Sequence, residues 1–279
     1  KILVLEGGFN EEHQISLATG KEVKKSLYNL GIKFNSLVVN PKSFKDDINN
    51  FDKNYICFNA LHGTFGEDGA IQKILDEKAY TYTHSNSLSS YIGFNKDLTK
   101  KEIKKTGILY PKHQVLNYQE LNKENLKKML LKMGEFIIKP NSSGSSFGIK
   151  VFKNIEDINF FISDFENNIN FFKNHKKLLV EEFLNGRELT ITVIEKDGKS
   201  IPVEVTEIIY YNDNYFDYNS KYTPGKSKHI LPANLKKKLY NDCKNFATNV
   251  QKRAIEKKKE EAEEAKNAKE REATYVAKK

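Results

Sequence analysis

The chain opens on an alternation of short apolar runs, glycine-containing turns and helical spacing. "KILVLEGG" leads into "HQISLATGKEVKKSLYNL" (His13 to Leu30), and "NYICFNALHG" leads into "DGAIQKILDE" (Asp68 to Glu77), with a further strand, "KFNSLVVN", between them. This order predicts βαβ units on a mostly parallel sheet and places the chain in the α/β class. Ligand sites in such sheets gather outside the carboxyl ends of the strands. "LEGG" and "NALHG" both fall there.

A second region begins near Tyr91. Helical "NKDLTKKEIKKTG" is followed by "YPKHQVL", helical "NKENLKKMLLKMG", the strand "EFIIKP", a Gly/Ser stretch, "IKVF", and an amphipathic Phe-rich segment from Ile155 to Phe172. The third region, "KLLVEEFLNGRELTITVIEKDGKSIPVEVTEII", alternates polar and apolar residues, and "EKDGKS" predicts a hairpin turn carried by Asp-Gly. A Tyr/Asn-rich loop of about twenty residues follows, a length that marks function or disorder, and then helical "LPANLKKKLYNDCKNFATNV". After Val250 the chain is nearly all Lys, Glu and Ala. That tail has no stripe of bulky residues for a coiled coil, so it predicts a solvated single helix or a disordered segment.

With 279 residues there is room for two or three domains. The net charge of +9 comes from lysines interleaved with acids, with very few arginines and no recognition motif, so nucleic-acid binding is not expected. Such a surface still attracts anionic small molecules. Cys57 and Cys243 match no metal spacing and suit a reduced, cytoplasmic chain. No apolar run reaches the roughly eighteen residues of a membrane helix, so no membrane association is expected. The first residues enter a strand without a signal-peptide layout, and the absent initiator Met implies a processed or trimmed start.

"KPNSSGSSFG" (Lys139 to Gly148) lacks the order of a Walker A loop. Gly144 and Gly148 would let backbone approach a phosphate, Ser142, Ser143, Ser145 and Ser146 add donors, and Lys139 at a strand end supplies charge. The alternative is an ordinary surface loop. In "HGTFGEDG", His62 follows a strand, and Glu67 and Asp68 stand at a helix start, where acids also serve as first-turn residues. Glu11, Glu12 and His13 follow "GG"; one acid faces a ligand ammonium, or they cap a helix. Glu181 and Glu182 end a strand and Glu188 opens the next, placed to accept from adenine and ribose or to pair with Arg187. Lys221 and Tyr222 lie on the long loop, as a lid over substrate or as surface packing.

Taken in order, "LEGGFNEEHQIS", "ALHGTFGEDGAIQ", "NKDLTK", "FIIKPNSSGSSFGI", "LVEEFLNGRELTI", "FDYNSKY" and "LPA" resemble the D-alanine–D-alanine ligases of the ATP-grasp fold, over Lys1 to about Asn249. The resemblance implies an N-terminal parallel-sheet substrate domain (1–90), a central ATP-grasp subdomain (91–178), an incomplete C-terminal subdomain (179–250) and a polar tail (251–279). It implies ATP and D-alanine as substrates, magnesium as cofactor, and a homodimer. By position Lys96 and Lys139 resemble the phosphate lysines, and Ser142 to Gly148 the covering loop. Glu181, with Glu182, Phe183 and Leu184, resembles the adenine hinge, and Glu188 the ribose carboxylate. Glu12 resembles the acid on the first D-alanine ammonium, and His62 the histidine beside that substrate. Ser145 and Tyr222 resemble the hydroxyls linked to that acid, with Lys221 on the lid facing phosphate.

In the family the chain continues into strands whose Asp, Glu and Asn hold magnesium and whose Arg stabilises developing charge. Here that place is taken by "QKRAIEKKKEEAEEAKNAKE". Arg253 has no strand around it and Asn267 sits in polar helix sequence, so no residue is assigned to a metal. A truncated or re-tailed ligase of little activity, with an exposed sheet edge, is the expectation. The alternatives are a ligase for a related D-alanyl product, a nucleotide-binding protein without catalysis, and an α/β protein whose Gly/Ser loop is only a loop.

Overall fold

The computed structural model describes residues 1–197, 199–211 and 215–277. Contacts divide the chain into two compact units, Lys1–Thr99 with His113–Glu182, and Lys100–Lys112 with Phe183–Lys279.

The first unit contains two sheets, each with its own core. The N-terminal sheet is built from β1 (Ile2–Gly7), β2 (Phe34–Val39), β3 (Ile56–Asn59) and β4 (Thr81–Tyr82), in the order β2-β1-β3-β4. Every pairing is parallel, as the alternation predicts. Leu3, Val4 and Leu5 on the central β1 are fully buried, the continuous apolar run of a strand covered on both faces. The crossovers carry α1 (His13–Asn29), the short α2 (Phe44–Asp47) and α3 (Ala70–Glu77). Leu3, Leu5, Phe44, Ile48, Cys57, Ile71 and Leu75 form the core. Burial there pushes the Cys57 thiol up to about 12, which leaves it unreactive.

Two helices, α4 (Ser87–Phe94), capped by the Asn86 side chain, and α5 (Lys96–Lys104), lead to the second sheet. Its strands are β5 (His113–Asn117), β6 (Phe136–Pro140), β7 (Lys150–Phe152) and β8 (Lys177–Glu182), with α6 (Lys123–Met133) between the first two. The order is β5-β8-β6-β7, antiparallel throughout. The Phe-rich segment forms two helices, α7 (Ile155–Ser163) and α8 (Phe165–Lys173), which break at Asp164. Ile158, Phe161, Ile169 and Phe172 turn inward onto Phe136 and Phe152, whose rings stack 4.9 Å apart.

The second unit is a three-stranded antiparallel sheet, β11-β10-β9, of β9 (Glu188–Lys196), β10 (Lys199–Tyr210) and β11 (Ser227–Ile230). Among the described residues β9 is an edge strand. The β9–β10 hairpin forms where Asp-Gly predicts it; Gly198 itself lies outside the described residues. Register shifts between Pro202 and Val205, where Pro cannot donate to the ladder. The long loop is more ordered than its composition suggests: it holds α9 (Tyr218–Tyr222), capped by Asp217, and then β11, which pairs back onto β10. Residues 212–214 lie outside the described residues. The composition break after Val250 is no structural boundary, because α10 runs from Lys237 to Ala277 without interruption. Ala, Glu and Lys are all strong helix formers. The tail expected as helix or disorder is helix through Ala277.

Candidate active site

At the carboxyl end of β1 the chain turns on Gly7, at φ +94°. Its N–H donates to Ser16 Oγ at 2.7 Å, and that hydroxyl donates to Ala60 O at 2.8 Å, locking the first turn of α1 over the sheet edge. Glu12 stands at the N-cap of α1 but does not cap it. Its buried carboxylate instead accepts the Ser145 hydroxyl of the Gly/Ser loop. Burial raises its pKa, the Ser145 bond opposes that, and Glu67 adds to it. Two glycines make room for the carboxylate: a β-carbon on Gly63 would lie 2.5 Å from Glu12 Oε2, and one on Gly144 3.0 Å away.

His62 lies on the same edge. Its Nε2 is 2.9 Å from Thr19 Oγ1 and its Nδ1 3.6 Å from Glu67 Oε1. The Glu67 carboxylate raises the His62 pKa against burial, which lowers it. Glu67 also accepts Gly63 N–H at 3.1 Å, so it serves the histidine turn. It does not open a helix: Gly69 is the N-cap of α3 and no acid lies in that helix's first turn. Asn10 clamps the same turn, donating to His62 O at 2.8 Å and Thr64 O at 2.9 Å. Asn10, Thr19 and the Glu67–His62 pairing escape a sequence reading. An amide flanked by "GGF" and two acids carries no recognisable spacing to residues fifty positions away.

The Gly/Ser loop leaves β6 at Pro140. Lys139 is ion-paired with Glu181 on the adjacent β8. Lys96 reaches the loop from α5, donating from Nζ to Ser143 O at 2.7 Å. Asn141, buried, accepts Asp97 N–H at 3.0 Å and donates to Asn95 Oδ1 at 2.9 Å, tying the loop's start to α5. Ser142 bridges to Asn95. Ser145 and Ser146 both take left-handed backbone, at φ 52° and 58°. The loop glycines accommodate side chains at close range: Gly144 packs on Glu12, and Gly148 on the Phe171 ring. The structure thus brings Glu12, His62, Ser145, Lys96, Lys139, Ser142, Ser143, Ser146, Gly148 and Glu181 into one unit.

Glu182 ends β8, Phe183 opens the second unit, and Leu184 is exposed. Glu188 begins β9, where burial raises its pKa and Lys221 opposes the shift. Arg187 pairs with neither Glu181, Glu182 nor Glu188. It grips Glu207 on the facing strand with both Nε and Nη2, each at 2.6 Å, a bidentate fork. Lys221 and Tyr222 sit on α9; Lys221 Nζ lies 5.4 Å from the Phe216 ring centre, and the Tyr218 and Tyr222 rings are 4.8 Å apart. Arg253 donates to Glu102 at 2.9 Å and to Glu260 at 2.7 Å.

Magnesium would need several hard oxygen ligands converging on one point. Among the described residues no group of three or more His, Cys, Asp or Glu side chains is so placed. No helix among them is long and apolar enough to cross a membrane.

Residues 103–258 match the family model described as the D-ala D-ala ligase C-terminus. A D-alanine–D-alanine ligase from Pelagibacter ubique is 37% identical over 245 residues, covering 85% of this chain and 74% of that protein. The crystal structure of a D-alanine–D-alanine ligase from Bacillus anthracis superposes with a TM-score of 0.70 at 29% identity, covering 91% of this chain and 78% of that one. A structure of that enzyme complexed with ATP gives a TM-score of 0.67 at 26% identity, over 91% of this chain and 77% of the other.

Proposed function

The chain belongs to the D-alanine–D-alanine ligase family, and from that premise we propose that it joins two D-alanines at the expense of ATP, through a D-alanyl phosphate, for peptidoglycan precursor synthesis. One observation carries this reading: the Glu12 carboxylate, in the N-terminal substrate region, is held by the Ser145 hydroxyl of the Gly/Ser loop. A loop that covers phosphate and an acid that grips an amino acid need that junction.

In this reading Glu12 receives the ammonium of the first D-alanine. A buried carboxylate with a raised pKa gains most from a cationic partner. His62 stands beside the same substrate, oriented by Thr19 and Glu67. Lys96 and Lys139 supply charge to the ATP phosphates and Ser142 to Gly148 cover them, while Glu181, Glu182, Phe183 and Leu184 serve adenine. In the second unit Glu188 is assigned to ribose, and Lys221 and Tyr222 to the lid. The B. anthracis enzyme with ATP bound supports the nucleotide assignment.

The first step joins a D-alanine carboxylate oxygen to the γ-phosphorus and breaks the β–γ bridge, releasing ADP. The second joins the amine of the second D-alanine to the acyl carbon; the amine loses its proton and phosphate leaves from a tetrahedral intermediate. No side chain forms a covalent bond. This chain's contribution is positioning, positive charge from lysine, and exclusion of water from the acyl phosphate. The described residues present no magnesium cluster, and no step is assigned to a metal.

A second reading, nucleotide binding without turnover, is favoured by α10: Arg253 lies on a continuous helix and is occupied by Glu102 and Glu260. Incubation with ATP, D-alanine and magnesium, with ADP and phosphate measured, separates the two. Turnover of about 1 s⁻¹ supports ligation. Calorimetric binding of ATP without product supports the second reading, and absence of ATP binding overturns both.

A further inference from the structure

Phe171 and His175, at the end of α8 and in the turn after it, have no role in the chemistry above. Yet Gly148 of the Gly/Ser loop rests directly on Phe171: at φ +69°, a β-carbon there would lie 2.1 Å from Phe171 Cε1. Phe171 in turn lies against the His175 imidazole, with ring centres 5.1 Å apart and planes tilted by 32°. The backbone N–H of His175 donates to Phe172 O at 2.9 Å, which fixes the turn.

The imidazole Nε2 is buried and has no hydrogen-bond partner. Glu11 Oε1 stands 3.8 Å from it, beyond hydrogen-bond reach. Two charges face the ring. Glu11 comes from the segment before α1, and Lys96 from the start of α5. Lys173, on the same helix end, is exposed and bonded to Asn170. Burial, with Lys96 assisting and Glu11 opposing, holds His175 below the usual imidazole range. The ring is therefore neutral near neutral pH and takes up a proton only as the solution is acidified.

A buried ring nitrogen with a carboxylate just out of reach has the layout of an ion pair that forms on protonation. Drawing Nε2 toward Glu11 moves the ring on which Phe171, and so Gly148, is seated. The new charge also repels Lys96, which holds Ser143 at the loop's other end. Both anchor points of the loop thus lie within reach of one titrating group. We propose that His175 is a positioning residue for the Gly/Ser loop, setting where residues 142–148 rest through Phe171 and, once protonated, through an ion pair with Glu11. This goes beyond the ligase reading, since it concerns the loop whatever the loop covers.

Hydrogen–deuterium exchange of the full chain tests it, read on peptides spanning residues 141–149 and corrected for intrinsic rates, at about pH 5.5 and about pH 7.5. The wild-type loop is expected to change its protection about fivefold between the two. His175→Gln and Glu11→Gln each abolish that change while β6 and β8 keep their protection, a readout that a purely structural role would leave unmoved. Phe171→Leu raises loop exchange at both pH values. Persistence of the pH-dependence in either His175→Gln or Glu11→Gln overturns the proposal. Should His175→Gln not fold, Glu11→Gln decides alone, because its side chain is 44% exposed and tolerates the change. Adding ATP and magnesium to the wild type tells the two readings apart: a loop that ATP fails to protect sinks its assignment as a nucleotide cover, and leaves the pH profile standing.

Discussion

Single side chains at the site owe their properties to specific partners, some in the same turn and some far away in the chain. His62 is held above the ordinary imidazole value of 6.5 chiefly by the Glu67 carboxylate. A group whose folded pKa is raised contributes stability that is full below its unfolded pKa and is lost as pH rises through the folded one. Stability from His62 is therefore lost above about pH 6.5. An NMR titration of the His62 ring should give an apparent pKa above 6.5 in the wild type, and Glu67→Gln should drop it to that value or below. An unchanged His62 pKa in the variant would refute the pairing. The sequence places His62 at a strand end and draws attention to Glu12, but it assigns Glu67 to a helix start. A turn hydrogen bond and an ion pair leave no periodic trace. Ser145 and Glu12, 133 positions apart, are brought together only by the tertiary fold, and the same holds for Arg187 and Glu207.

Among the elements, α1 and β1 show how closely packing depends on one residue. Gly20 lies inside α1, and a β-carbon there would fall 2.0 Å from Glu6 Oε2. Glu6 is buried on β1 and receives Lys24 Nζ from α1 at 2.5 Å. Gly20→Ala gains about 0.5–1 kcal/mol of helix propensity, but it forces the carboxylate off its ion pair and overpacks the interface, at about 1–3 kcal/mol. The overpacking dominates, so urea denaturation should show a less stable variant; a more stable one would mean that α1 stands further from β1 than described. Element types were largely legible from periodicity. The parallel N-terminal sheet follows from alternation alone, and the β9–β10 hairpin from Asp-Gly. The loop around Lys221 was not, because α9 depends on the Asp217 cap, and β11 depends on an open edge of β10 that local composition does not reveal.

At the scale of the whole molecule, the fold is that of the ATP-grasp ligases, with an α/β N-terminal sheet beside an antiparallel second sheet. In the second unit, Ile194, Ile201 and Val203 are exposed on β9 and β10, and β9 is an edge strand among the described residues. Ile194 faces Ile201 across the hairpin, and an exposed apolar cluster beside an unpaired strand edge invites pairing with another chain. Light scattering is expected to show association that grows with protein concentration, and Ile194→Lys should suppress it without lowering the melting temperature; association unaffected by that change would place the sticky surface elsewhere. The contact between Glu12 and Ser145 has a wider consequence. One carboxylate serves two clients, the loop hydroxyl and whatever cation approaches from the N-terminal side. Thermodynamic reciprocity then requires that a cation which weakens or strengthens the loop's hold be bound more weakly or more strongly, by the same factor, when the loop is seated. Seating of the loop and capture of a cation are thus coupled through the lone pairs of a single acid.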